Sequence, residues 1–236
     1  MRRRVHVYFS SVVLLSMLPS LYELDLDRLV LIFPSFTFFF ILFYYSTLLP
    51  DVDIGSQKGV MPALTRLLIY QPVRIISKLI RSRAARHRGF MHSPLGLALT
   101  AIFWSAIFLG LGYALEYLKA CWLIEVFSKP LLEVFGFNYE WVKGPIALGL
   151  LSGISVTLGY SLHLLGDSYT VVGVPILGFR VRGKLRNGVN DHIPPIIYTA
   201  AALATYTTLM LLAKPLNLAT PILLAFLILM SIILWK

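Results

Sequence analysis

Long runs of apolar residues, broken by short polar and charged segments, follow one another along the chain. A helix needs roughly 20 apolar residues to cross a bilayer, and several of these runs reach about that length. The pattern therefore predicts an all-α, polytopic membrane protein with about six transmembrane helices in a single membrane-embedded domain, 1–236. The predicted spans are 5–22, 29–49, 94–118, 145–166, 194–213 and 218–235.

Two further segments have patterns that differ from those of the spans. In 60–85, apolar and basic residues recur at near-helical spacing, which predicts amphipathic helices interrupted near Pro72. Such helices either lie on the cytoplasmic leaflet or pack against the protein's own spans, and the sequence supports both equally. The segment 119–144 carries too many charges for a span, and we expect it to lie along the outer surface.

The composition narrows the class of protein further. Apolar residues make up 58% of the chain and charged residues 14%, whereas soluble domains have about 25% charged residues. These values exclude a disordered chain and a coiled coil, and they argue against a soluble enzyme. Cys121 is the one cysteine of the sequence, which excludes an internal disulfide and a cysteine-rich metal site.

The distribution of positive charge predicts the orientation in the membrane. With six spans, 16 of the 21 Lys and Arg residues fall on the side that holds both chain ends and the segments 50–93 and 167–193. Cytoplasmic loops carry such an excess, so we expect a multi-pass protein of the cell (inner) membrane with cytoplasmic amino and carboxyl ends. The net charge of +10 then follows from topology and attraction to anionic lipids, and we expect no nucleic-acid partner.

The histidines and several aspartates also fall on this predicted inner side, where topology does not select for neutral imidazoles. His163 and Asp167 are four residues apart at the end of a span, so a helix presents both on one face. Together they could ligate a metal ion, or Asp167 could orient His163 as a supporting partner. The alternative is a histidine at a helix end beside an interfacial aspartate, and the pair alone does not decide between these interpretations.

Two other groups of residues on this side could carry chemistry. Pro50 ends the second span, and the carboxylates of Asp51 and Asp53 that follow would repel each other unless a cation lies between them. For this pair taken alone, an ordinary solvated turn after a helix is the favoured interpretation. His87 and His92 are five apart, a poor match to one helix face, although a turn at Gly89 could bring them together. The alternative there is a basic juxtamembrane patch that includes Arg86 and Arg88.

Taken together, the segments Leu49–Asp53, His87–Ser93 and Gly159–Pro175 resemble the motifs of the YdjM-type inner-membrane family of metal-dependent hydrolases, in order and spacing. The resemblance implies that Thr170, Gly173 and Pro175 shape the turn after Asp167. It also implies a set of metal-ligand candidates that begins at the start of the first span: His6, Asp51, Asp53, His87, His92, His163 and Asp167.

The mechanism that these residues favour is metal-assisted hydrolysis. One or two divalent ions would activate water, with Zn²⁺ as the first choice and Mn or Fe as alternatives. Asp53 or Asp51 would act as general base, and Arg88, with Arg180 or Arg182, would hold a phosphate. We expect membrane lipids as partners, and an anionic lipid or polyprenyl phosphoester as substrate. The alternatives are a metal-ion or proton-coupled transporter and a non-catalytic membrane protein with a structural metal.

Overall fold

A computed structural model describes residues 26–53, 59–79, 89–168, 170–176 and 179–183, which are mostly helical, as the sequence predicts. The predicted spans 5–22, 194–213 and 218–235 lie outside these residues. The described elements, in chain order, are α1 (Leu26–Ser46), a 3-10 turn (Leu49–Asp53), α2 (Val60–Thr65), a π-helical turn (Arg66–Tyr70), α3 (Gln71–Leu79), a 3-10 turn (Phe90–His92), α4 (Pro94–Tyr117), α5 (Cys121–Val134), α6 (Tyr139–Val142), α7 (Pro145–Ser168), β1 (Val174–Ile176) and β2 (Phe179–Val181).

Two of the helices, α4 and α7, are long and apolar enough to cross a membrane. They coincide with the predicted spans 94–118 and 145–166, and each begins at a proline. Proline is favoured in the first turn of a helix, where its missing N–H costs no hydrogen bond. The predicted span 29–49 overlaps α1, of which the apolar part Ile32–Ser46 is shorter.

Helix α7 packs most extensively against α4 and also contacts α1 and α5. Glycines allow this close approach. A Cβ atom on Gly112 of α4 would lie 2.7 Å from the Cα atom of Pro145. One on Gly159 of α7 would lie 2.0 Å from the Oγ atom of Ser46 at the end of α1. Small residues of this kind are what bring the backbones of membrane helices together.

Two apolar clusters fill the spaces between the helices. The first, here called the Met91 cluster, lies where the 3-10 turns meet the helix ends; the second, the Phe39 cluster, joins α1, α5, α6 and α7. The buried members of the Met91 cluster are Leu42, Leu49, Val52, Met61, Ile69, Tyr70, Met91, Trp104, Val156 and Tyr160. Those of the Phe39 cluster are Ile32, Phe39, Phe43, Leu131, Leu132, Tyr139, Ala147 and Leu151.

Helix α5 belongs to the segment 119–144, which the sequence predicts to lie along the outer surface. One side of it is buried against α1 and α7 through Ile124, Leu131 and Leu132. The hydroxyl of Ser35 in α1 donates a hydrogen bond of 2.8 Å to the carbonyl of Phe127. Glu125, Lys129 and Glu133, the charged residues of this helix, are exposed.

The segment Val60–Leu79 is helical throughout. The sequence predicted an interruption near Pro72, but the helix continues through this residue, and a wider π-helical turn immediately precedes α3. Proline has no N–H to donate to the preceding turn of a helix. The π-helical turn, with its wider hydrogen-bond spacing, lies in the turn that directly precedes Pro72. The Nε1 atom of Trp104 in α4 donates to the hydroxyl of Thr65 at 2.9 Å and fixes the segment to the helix bundle.

Candidate metal centre

Three helix ends converge at one end of the bundle. The 3-10 turn after α1 carries Asp51, the 3-10 turn before α4 carries His92, and the last turns of α7 carry His163 and Asp167. All four side chains are buried; the exposed fraction is 11% for Asp51 and at most 1% for the other three. Carboxylates and imidazoles are costly to bury unless they interact closely with one another.

The distances between these side chains are short. The Nε2 atom of His92 lies 3.3 Å from Asp51 Oδ1 and 3.3 Å from Asp167 Oδ2. The Nε2 atom of His163 lies 3.7 Å and 3.6 Å from the same two oxygens. One ligand atom each of Asp51, His92 and His163 falls within 4.8 Å of the others.

This geometry fits a single divalent ion. Zinc binds nitrogen and oxygen ligands at about 2.0–2.1 Å, so two ligands at a tetrahedral angle lie about 3.4 Å apart. The four nitrogen–oxygen distances of 3.3–3.7 Å match that separation. Two imidazole nitrogens and one carboxylate oxygen, from His92, His163 and Asp51, are a ligand set that zinc and related transition-metal ions accept, and Asp167 lies directly beside the two histidines.

His163 is held in the orientation that a metal ligand needs. Its Nδ1 atom lies 2.7 Å from the backbone carbonyl oxygen of Thr47, just after α1. A carbonyl only accepts hydrogen bonds, so Nδ1 carries the proton and donates it. The lone pair is therefore on Nε2, which faces Asp51 and Asp167, as in many metal sites where a ligand histidine is fixed through its other nitrogen.

His92 is positioned by the start of α4. Ser93 caps this helix: its hydroxyl accepts a hydrogen bond from the Gly96 N–H at 3.2 Å and donates one to the Phe90 carbonyl at 2.6 Å. Tyr160, one helical turn before His163 on α7, donates its hydroxyl proton to the carbonyl of Met91. A single hydrogen bond thus connects the helix of one histidine with the turn of the other.

The turn after α7 holds the end of the helix that carries Asp167. The backbone N–H and the hydroxyl of Thr170 both bind the Asp167 carbonyl, at 3.0 and 2.8 Å. Gly173 donates to the Thr170 hydroxyl and has φ +66°, and a Cβ there would lie 2.1 Å from the Val181 carbonyl oxygen of β2. Pro175 follows in β1, opposite Arg180 of β2. The three residues that the resemblance implied do shape this turn.

Electrostatics favour a positive charge at the centre of the site. Burial by itself lowers the pKa of His92, but hydrogen bonds to Asp167 and Asp51 and their negative charges outweigh it and raise the pKa to about 9. Two carboxylates face this one imidazole, and they stabilise a cation between them. A proton on His92 can serve as that cation, and so can a metal ion that displaces it.

Comparison with known protein families shows which family the chain belongs to. The sequence model described as "YdjM inner membrane protein" matches residues 1–236, the whole chain. The chain belongs to the YdjM inner membrane protein family. Membership confirms the resemblance carried by the three motifs and supports a location in the membrane. A comparison with curated proteins and one with solved structures found no match.

For this YdjM-family chain, the structure brings together four of the seven predicted ligands, namely Asp51, His92, His163 and Asp167. His6, His87 and Arg88 lie outside the described residues. Asp53 ends the 3-10 turn of Asp51, but its side chain is not among those described.

The arginines predicted to hold a phosphate lie on the hairpin after α7. Arg180 is exposed and donates from Nη1 to the Val172 carbonyl at 3.0 Å, and Arg182 is exposed as well. The sequence did not single out Thr47 or Tyr160 as supporting residues. Thr47 contributes a backbone carbonyl, which no side-chain pattern reveals, whereas the i, i+3 spacing of Tyr160 and His163 was a usable signal.

Proposed function

We propose that this YdjM-family protein is a membrane-embedded, metal-dependent hydrolase that cleaves a phosphoester of a lipid or other amphiphile at the cytoplasmic membrane boundary. The observation that carries the proposal is the buried group of two imidazoles and two carboxylates with metal-ligand spacing. Structural packing alone gives no reason to bury four such groups together, because each is costly to remove from water.

The chemistry assigned to the site follows from its ligands. A divalent cation held by Asp51, His92 and His163, with Asp167 beside it and one coordination position left open, would supply a Lewis acid that lowers the pKa of water. Zn²⁺ is preferred, with Mn²⁺ or Fe²⁺ as alternatives. The hydrogen bond from His163 to the Thr47 carbonyl keeps the imidazole in one tautomer and one orientation. The hydrogen bond from Tyr160 to the Met91 carbonyl does the same for the turn that bears His92.

The second carboxylate oxygen of Asp51, Oδ2, is assigned as the general base, because Oδ1 is the oxygen that faces the two histidines. The side chain of Asp51 is 11% exposed, while the other three are at most 1% exposed, so water and substrate reach the site beside this carboxylate. A carboxylate in that position can accept the proton of the attacking water and return it to the leaving group. Asp53, two residues further along the same 3-10 turn, is the second candidate for this step.

An amphiphilic phosphoester is the substrate class that the surroundings support. The site lies at the ends of two helices that are long and apolar enough to cross a membrane. In the proposed topology, this end is at the cytoplasmic headgroup layer. The adjacent stretch 54–88 contains eight Lys and Arg residues and no Asp or Glu, which favours anionic groups. Arg88, Arg180 and Arg182 are the candidates to hold the phosphate, since guanidinium groups bind phosphate oxygens in pairs.

The decisive experiment compares metal content and hydrolysis in the same preparations. The wild type, His163→Ala, Asp51→Asn and the control Glu140→Gln are purified without chelator, and their metal content is measured by elemental analysis. Glu140 is exposed and far from the site, so Glu140→Gln should keep both metal and activity. His163→Ala should lose metal, and both site variants should lose hydrolysis of phospholipid and aryl phosphate substrates. Equal product release by all four proteins would disprove the enzymatic claim.

Transport is the main competing class. A metal or proton pathway places ionisable groups along the middle of the spans. Among the described residues, the buried acidic and basic side chains are the four of the site, at one end of the helices. This favours a local reaction site. Metal flux into vesicles without any hydrolysis would reverse the ranking, and a fully closed ligand shell would favour a structural metal.

A further inference from the structure

The helical segment Val60–Leu79 has one side that is fixed to the protein. Met61, Ile69 and Tyr70 are buried in the Met91 cluster, with exposed fractions of 7–8%. Thr65, on the same side, accepts the hydrogen bond from Trp104. The rotation of this segment about its axis is therefore set by its own fold.

The opposite side of the segment exposes large aliphatic side chains. Leu67 and Leu68 have exposed fractions of 62% and 52%, and Ile75 and Ile76 have 58% and 55%. In an ideal α-helix, residues eight apart are rotated by about 80° about the axis. The π-helical turn Arg66–Tyr70 adds about one residue to its turn and so offsets most of that rotation. The two pairs thus share one side and form a continuous apolar face, here called the aliphatic face.

Positive charges accompany the aliphatic face. Arg74 and Lys78 are exposed on the same segment, and no Asp or Glu occurs anywhere in 54–88. An apolar face combined with basic residues and no acidic ones is typical of helices that lie in the interfacial layer of anionic membranes. A soluble protein surface, in contrast, would mix both signs of charge around such a patch.

The position of the segment in the fold agrees with this environment. Both α2 and the π-helical turn contact the 3-10 turn Leu49–Asp53, which lies where α1 ends and where α4 and α7 have their site-bearing ends. The segment is therefore level with the ends of the two helices that are long and apolar enough to cross a membrane. In a bilayer spanned by these helices, four exposed aliphatic side chains at that level would face acyl chains.

We propose that Val60–Leu79 lies in the headgroup–acyl boundary of a bilayer that contains anionic phospholipid, with the aliphatic face in the acyl layer and Arg74 and Lys78 on the lipid phosphates. The segment is in this view a lipid-binding surface next to the metal centre. This role does not depend on hydrolysis, and the two can be tested separately.

The test uses the full chain with Cys121→Ser as background, since Cys121 is exposed and would react with the probe. Single cysteines are introduced by Leu68→Cys or Ile76→Cys, labelled with an environment-sensitive fluorophore, and reconstituted in phosphatidylcholine vesicles with and without phosphatidylglycerol. Ile102→Cys, on the exposed face of α4, is the membrane control, and Glu140→Cys is the water control. Quenching by spin-labelled lipid is compared with quenching by aqueous iodide.

The expected result is that labels at positions 68 and 76 are quenched by lipid and protected from iodide, as at position 102. The double substitution Arg74→Gln with Lys78→Gln should weaken the attraction of the segment to a surface with phosphatidylglycerol by about fivefold per cation. The lipid-to-iodide quenching ratio should therefore fall in vesicles with phosphatidylglycerol and stay unchanged in vesicles without it. Metal content should stay at the wild-type value in all these variants, which separates this proposal from the metal site.

Three outcomes would overturn the proposal. Iodide quenching at positions 68 and 76 equal to that at position 140 would show that the aliphatic face is in water. Protection from both quenchers would show that protein covers it, either a second copy of the chain or another subunit. The same quenching ratio in the presence and absence of phosphatidylglycerol, for the parent and the double variant, would exclude anionic lipid as the occupant.

Discussion

The Met91 cluster and the Phe39 cluster are built from similar side chains, but the buried members of the Met91 cluster include the sequence neighbours of the site residues Asp51 and His92. Leu49 and Val52 flank Asp51 closely in sequence, and Met91 precedes His92. In the Phe39 cluster, Leu131, Leu132 and Leu151 pack against aromatic rings and smaller apolar residues. Burial in the Phe39 cluster stabilises the fold, whereas burial around the site keeps water from groups that destabilise it unless a cation joins them.

Along α7, the residues that stabilise the fold and the residues of the candidate metal site lie in different halves of the helix. The half of this helix near its start, which includes Leu151, contributes to packing, and the half near its end contributes His163 and Asp167. Substitutions should therefore affect either the free energy of unfolding or the affinity for metal, depending on which cluster they touch. Substitutions in the two clusters test whether fold stability and metal affinity are independent, in order of decreasing expected effect.

The largest effect is expected from Asp167→Asn compared with Leu132→Ala. Asp167→Asn keeps the shape but removes a negative charge from the site, so metal affinity should fall by more than the ~10–100-fold typical of supporting residues. Leu132 is fully buried in the Phe39 cluster, and Leu132→Ala should lower the free energy of unfolding by about 2–5 kcal/mol while the purified, folded protein keeps its metal. Metal content and thermal unfolding in detergent measure both; equal metal loss in the two variants would refute the separation.

The second prediction concerns pH. In the metal-free protein, the raised pKa of His92 means that its protonation stabilises the fold. This contribution is fully present below pH 6.5, the ordinary pKa, and is lost as the pH rises through about 9. Metal binding has the opposite dependence, because the ion must displace the proton, and its affinity should rise about tenfold per pH unit up to about pH 9.

Zinc titrations and thermal unfolding with and without metal, at pH values from about 6 to 9, check this opposition. His92→Gln serves as the control, since it removes the titrating group and should flatten the pH dependence of metal-free stability. A metal affinity that does not change over this range would contradict the assignment of His92 as a ligand.

The third prediction uses two glycines of the long helices. A Cβ atom on Gly159 would lie 2.0 Å from Ser46 Oγ and 2.4 Å from the Phe43 carbonyl oxygen, whereas one on Gly110 would meet nothing within 4 Å. Gly159→Ala should therefore lower the free energy of unfolding by about 1–3 kcal/mol by overpacking. Gly110→Ala should leave it unchanged or raise it by up to about 1 kcal/mol. Thermal unfolding of both variants decides, and an equal effect would mean that α1 and α7 do not approach as closely as described.

The smallest effect is expected from two tyrosines. Tyr160→Phe removes the hydrogen bond to the Met91 carbonyl and should weaken metal binding about tenfold, at the low end for a supporting residue. Tyr139→Phe removes a buried hydroxyl within the Phe39 cluster and should leave metal affinity unchanged. Metal titrations of the two variants measure this difference. A similar loss of metal affinity in both variants would show that packing in the Phe39 cluster also affects the metal site.

Much of the helical architecture was predictable from the sequence for clear physical reasons. Pro94 and Pro145 mark helix starts, and the apolar runs that follow are long enough to fix the ends of α4 and α7. The four-residue spacing of His163 and Asp167 predicted that both lie on the same face of a helix, because the α-helix has 3.6 residues per turn. The charges of Glu125, Lys129 and Glu133 predicted an exposed segment, and all three are exposed. The packing of Ile124, Leu131 and Leu132 on the other residues of the helix was not predicted.

The assembly of the site was less predictable. Asp51 and His92 lie on short 3-10 turns, whose direction depends on contacts made after the chain has folded. Thr47 acts through its backbone, and the π-helical turn before Pro72 leaves no trace in periodicity. The resemblance to the family motifs therefore predicted that Asp51, His92 and His163 belong to one site. The spacing of residues within each motif predicted only how neighbouring side chains are arranged.

The order of the ligands along the chain has a consequence for biogenesis. Asp51 is synthesised first, His92 follows about 40 residues later, and His163 and Asp167 come last. A nascent chain that stops before α7 has half of these donors, Asp51 and His92, and lacks His163 and Asp167. Under the proposed function, the complete set of donors for an ion exists only once α7 has joined the two turns that carry Asp51 and His92.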